Sequence, residues 1–279
     1  MSEIAKQKQL YSVLYGAVVG LAFAISTWGV DALILAGANA RLPFLEFIPG
    51  MLICLLVGAL VGWLTARVEN GFIKIFFWLG FGILLVWLMI FIPFNATPFL
   101  LQRFDPSLSP LLHYSVPEKL WQFWLFGAFT ITGPALISGV LQNNLVESAI
   151  GSPYRIAKVS MLIIPIILMV LAGLAANQMI GRNLRDPVVA THELLQFAGK
   201  NYGKEVDPIL ARAMRLSSAK ELGNLVGQDY TLTVIGFDQT MGSVDILVDF
   251  PRTRATCMLI YSQAVRCSKN PGQVNLLIS

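Results

Sequence analysis

The sequence predicts an α-helical polytopic membrane protein of about five transmembrane helices that ends in a small C-terminal α+β soluble domain. Three observations predict it. Five apolar runs free of charge divide residues 1–182, each of about 20 residues and so long enough for a hydrocarbon core. Hydrophobic residues make up 56% of the chain and charged ones only 13%. Residues 183–279 then switch to the capping, turn and alternation signals of a soluble fold.

Composition sets the first bound. A soluble domain of 279 residues could not hide that much apolar surface, so lipid must be the solvent for part of the chain. The net charge of +4 does not indicate nucleic acid. Most Lys and Arg flank apolar runs or lie scattered in the tail, with no basic stripe. The bilayer itself and other membrane subunits are the expected partners.

The spans read as 10–30, 47–66, 75–94, 120–142 and 159–181. The first is too long for a signal-peptide core, and Ser26-Thr27-Trp28 makes a poor cleavage site, so it reads as a retained span. Asp31 follows directly, and the reading adopted here ends the helix at Val30 and leaves Asp31 solvated. Were the helix to continue, Asp31 would need a partner, with Arg41 nearest in sequence. Lys74 opens the third span and is expected to snorkel to the cytoplasmic surface.

Orientation follows from short-loop cations. With the N-terminus inside, the cytoplasmic side holds Lys6, Lys8, Arg67, Lys74, Arg155 and Lys158. The outer loops hold Arg41, Arg103 and Lys119, and Arg182 and Arg185 after the last span count on the opposite side. The expected location is a plasma or bacterial inner membrane, N-terminus cytoplasmic and tail exported. The outer connection 95–119 carries Pro98, Pro106, Pro110 and Pro117 among apolar residues. It is expected to break as a helix and to lie on the membrane face or pack against the tail or a partner.

In the tail, Asp186-Pro187 and Asp207-Pro208 each set a capping carboxylate before a proline, predicting helices over 188–199 and 208–222. Tyr230–Phe237 reads as a strand, Gln239–Gly242 as a turn and Val244–Phe250 as the returning strand. A third strand is expected over 256–263, with the helices on one face of an antiparallel sheet. Cys257 and Cys267 bracket that strand and its exit. They are expected to form a disulfide in an oxidising compartment, whereas Cys54 sits alone in an apolar run.

Two constellations lie in the spans. Gly16, Gly20 and Ala24, and likewise Gly58, Gly62 and Ala66, repeat at i, i+4 and i+8. Such stripes let helix backbones approach closely where lipid supplies no hydrophobic drive. Thr130, Thr132, Gly133, Pro134 and Ser138 interrupt span four and Pro165 interrupts span five. These read as ordinary kinks, with Asn143 and Asn144 as interface residues. His192 beside Glu193 reads as a surface pair. No catalytic, cofactor or metal motif is found, so no catalytic residue, cofactor or metal is assigned. The function expected is a non-catalytic accessory or scaffold subunit of a larger membrane complex, with the exported domain for docking. The alternative is a pore or permease component with the broken spans four and five lining the path.

Overall fold

The first apolar run does not stop at Val30. In the computed structural model, which describes residues 3–41, 43–114, 120–151, 154–238, 243–260 and 263–269, α1 (Glu3–Ala24) passes through a π-helical turn at Ile25–Gly29 into α2 (Val30–Gly37). Three more elements follow, α3 (Pro43–Arg67), α4 (Gly71–Phe91) and α5 (Thr97–Phe104). The Asn70 side chain accepts the Phe72 N–H and so starts α4, as a capping residue does. A second π-helical turn, Ile92–Ala96, joins α4 to α5. α6 (Leu120–Gly127) leads through a third, Ala128–Thr132, into α7 (Gly133–Gly151). Next comes α8 (Arg155–Lys200).

Among the described residues, five helical stretches are long and apolar enough to cross a membrane: Glu3–Gly37, Leu45–Arg67, Gly71–Phe104, Trp124–Gly151 and Arg155–Gln178. Several keep an apolar face open. Leu52, Leu56 and Leu60 form one stripe of α3 and are each about half exposed. Soluble surfaces rarely carry such contiguous apolar area.

The chain groups into two units. A helical unit takes Met1–Val30, Glu46–Pro93 and Lys119–Met179. A sheet unit takes Asp31–Leu45, Phe94–Glu118 and Ile180–Ser279. Among the described residues of the sheet unit, five strands follow in the order β1 (His113–Tyr114), β2 (Thr231–Asp238), β3 (Ser243–Asp249), β4 (Arg254–Ile260) and β5 (Gln263–Ser268). β1 runs parallel to β2, and the other pairs are antiparallel. Leu232 is further bridged by residue 40, through Leu232 N–H to Asn39 O and Arg41 N–H to Leu232 O, both 2.9 Å.

Several expectations need correcting. Asp186-Pro187 does not start a helix, because α8 runs straight through it. Val188, Thr191, Leu194, Leu195 and Ala198 are buried at helical spacing, and that stripe outweighs the proline. Thr191 Oγ1 also donates to Pro187 O. Asp207 does cap α9 (Pro208–Ala213), accepting from the Ile209 and Leu210 N–H groups. That helix ends early, since Arg215 turns left-handed at φ 53° and a 3₁₀ segment, Leu216–Gly227, follows. The third strand ends at Ile260, and the chain returns as β5. β3 is buried at six of seven positions and β4 at five, so this part of the sheet is covered on both faces rather than one. The Gln239–Gly242 turn, Pro117 and Lys119 lie outside the described residues, as does the Arg182 side chain.

Candidate functional site

The glycine stripes of α1 and α3 face one another within this chain. A Cβ added at Gly16 would run into the Gly58 carbonyl, and one at Gly58 into the Gly16 carbonyl. At Gly20 it would meet Cys54 O, and at Gly62 Ser12 O. The two backbones therefore touch, which is the contact that small residues permit. Ala24 is fully buried and Ala66 partly so. The broken fourth span packs just as tightly. An added Cβ at Gly82 of α4 would sit 2.9 Å from Thr132 Cα, and one at Gly139 of α7 would enter the Trp78 indole.

A polar seam crosses the same unit along α7, where Ser138 and Gln142 form one i, i+4 pair and Asn143 and Glu147 another. Tyr15 of α1 donates to Ser138 O at 2.6 Å, and Trp78 Nε1 donates to Gln142 Oε1 at 3.0 Å. Lys74 Nζ donates to Asn143 Oδ1 at 2.9 Å, and Lys8 pairs with Glu147 at 2.8 Å. Lys74 is only 7% exposed, so it turns inward to Asn143 rather than snorkelling. The hydroxyls of Thr132 and Ser138 are buried and have no hydrogen-bond partner among the described residues. At the first π-helical turn, Asn177 of α8 donates to Thr27 O at 2.7 Å and satisfies a carbonyl there.

In the sheet unit, Asp31 sits in the continuing helix α2 and pairs with Arg185 at 3.5 Å, not with Arg41. That corrects the solvated reading, and both side chains are largely buried. Arg41 instead approaches Asp249 at 3.6 Å. Arg254 is the hub of this end: it meets Asp249 at 2.8 Å, Asp105 at 3.1 Å and Ser107 Oγ at 2.7 Å. Ser107 also donates to Asp105. Its hydroxyl, with Arg254 adding a smaller share, holds the Asp105 carboxyl below the usual carboxylate range.

One row of the sheet joins three strands through a glycine. His113, Gly236 and Asp245 are register neighbours across β1, β2 and β3. With no side chain at 236, the imidazole crosses β2 and Nε2 meets Asp245 Oδ2 at 2.6 Å. Nδ1 faces Leu111 O at 2.9 Å, so the ring is fixed from two sides. The connection after span three thus packs on the tail, one of the outcomes expected for it.

His192 is not an ordinary surface residue. It is half-buried, with Tyr230 Oη 3.0 Å from its Nδ1 and 3.2 Å from its carbonyl oxygen. Burial lowers the His192 pKa against the opposing pull of Glu193, and burial pushes the Tyr230 phenol up to about 12. Tyr230 divides two adjoining polar clefts, of about 690 and 570 Å³, that share residues 229–231.

The predicted pair Cys257 and Cys267 is a disulfide between directly opposed positions of β4 and β5, and Cys54 is a buried free thiol. Among the described residues no three His, Cys, Asp or Glu side chains gather as a metal would need. Sequence reasoning missed the seam partners Tyr15, Trp78 and Gln142. Asn143 beside Gln142 near the end of an apolar run was the signal available. No protein family, curated protein or solved structure matches this chain.

Proposed function

We propose that this chain is a membrane-embedded, non-catalytic accessory or scaffold subunit of a larger membrane complex, with the sheet unit exported as its docking domain. The observation that carries the proposal is the closed packing of the helical unit. Glycine backbones touch between α1 and α3, and α7 is tied to α1 and α4 by four polar contacts. Such a unit holds a shape rather than opening a route.

The path reading draws less support. It needs Thr130, Thr132 and Ser138 facing a lumen, yet Ser138 is fully buried and Thr132 lies against Gly82. The exposed leucine stripe of α3 suits lipid, and the disulfide suits an oxidising compartment for the tail. With the short-loop cations, these favour a cytoplasmic N-terminus and a plasma or bacterial inner membrane.

The experiment is purification in mild detergent beside reconstitution alone in liposomes. Stoichiometric partners without solute flux are expected. Flux from the lone protein, abolished by Thr132→Val or Ser138→Ala, would establish the path reading instead.

A further inference from the structure

We infer that the paired cleft at Tyr230 is a binding site for a neutral, hydroxyl-rich ligand, an oligosaccharide segment. The inference rests on the cleft alone and does not depend on the scaffold proposal.

The lining decides the chemistry. One cleft is walled by Arg41, Asp249, Phe250, Arg252 and Arg254. Its neighbour is walled by Asn39, Gln196 and Gln228, and the two join across Asp229, Tyr230 and Thr231. The Asn39, Gln196, Gln228, Asp229 and Arg252 side chains make no hydrogen bond or ion pair among the described residues. Each is a planar group with two or more polar positions side by side. Carboxamides offer a donor next to an acceptor, the carboxylate two acceptors, and guanidinium parallel donors. Neighbouring ring hydroxyls, each both donor and acceptor, match that set.

Other ligand classes fit less well. An anion would need free cations, but Arg41 and Arg254 already share Asp249, and Arg254 also holds Asp105. The remaining cation, Arg252, lines the same cleft as the Asp229 carboxylate, so the wall carries both signs of charge. An extended peptide would need an open strand edge. Here the β2 edge is taken by residues 39–41 and by β1. An apolar ligand finds little beyond Pro251 and the Tyr230 ring, since Phe250 is only 6% exposed. A sugar ring has an apolar face as well as hydroxyls, and Tyr230 supplies a wall for it. The phenol is pinned at His192, and its ring stands edge-on to Phe250.

The test uses the full chain in nanodiscs, free of sugar-headed detergent. Cellotetraose, chitotetraose and maltotetraose are titrated by calorimetry and saturation-transfer NMR, with inorganic phosphate and a Gly-Ser peptide as competitors. At least one tetrasaccharide should bind, and the double variant Gln196→Ala, Asp229→Ala should weaken it on the order of tenfold or more. Because neither side chain has a partner among the described residues, the variant should melt as the wild type does. Arg103→Ala, elsewhere in the same unit, should bind normally. The inference is overturned if no tetrasaccharide binds, if the double variant binds equally well, or if phosphate or the peptide displaces the sugar.

Discussion

A side chain at position 236 would fill the space through which His113 reaches Asp245, so the crossing depends on glycine there. Gly236→Val should destabilise the sheet unit by roughly 1–3 kcal/mol, as overpacking typically does. Hydrogen exchange should rise in residues 105–114 before it rises in β3 and β4. His192 gives a second test at this scale. Its folded pKa is depressed by burial, so the unfolded chain takes up the proton first. The stability it contributes is complete above the unfolded value of about 6.5 and is lost as pH falls through that value toward the folded one. The melting temperature of wild type should therefore drop more between pH 8 and pH 5.5 than that of His192→Gln. Equal slopes would exclude His192 as the source. Cys257–Cys267 was legible because ten residues and a strand signature suffice to suggest a hairpin. Its reduction should cost on the order of 2–3 kcal/mol by loop entropy, and intact mass without reductant should lack two hydrogens. His113–Asp245 was not legible, since 132 residues separate the pair.

Helix contacts supply the tests at the scale of elements. Gly16→Ile, Gly58→Ile or Gly62→Ile would each drive a branched side chain into a facing backbone, with an expected loss of about 3 kcal/mol. Gly80→Ile, where an added Cβ meets nothing within 4 Å, is the matched control. Thermal stability in detergent, read by size exclusion after heating, should fall for the first three and hold for the control. The stripes were visible as an i, i+4, i+8 repeat, but their mutual contact was not, because spacing does not say which helix a stripe meets. The same limit explains Asp186-Pro187. A capping signature and an interior proline look alike along the chain, and only the buried stripe from Val188 to Ala198 tells them apart. The early end of α9 was likewise hidden, since nothing local at Arg215 marks a left-handed turn.

For the molecule as a whole, the apolar runs were legible because hydropathy is a property of consecutive residues. The company kept by residues 31–45 and 94–118, which join the sheet unit, was not, because those partners lie far along the chain. Protease added to right-side-out vesicles should remove the tail in one fragment of roughly 95 residues. Cleavage confined to inverted vesicles would reverse the proposed orientation. The row from His113 to Asp245 also has a consequence for biogenesis. Ribosomes add roughly 5–20 residues per second, so Asp245 is made about 7–26 s after His113. During that interval β1 is a newborn strand without its template, and the last two apolar runs are synthesised before the template exists. A transcript truncated between β1 and β2 leaves that edge permanently unpaired. Such a product presents cellular quality control with a defect that full-length translation repairs by itself.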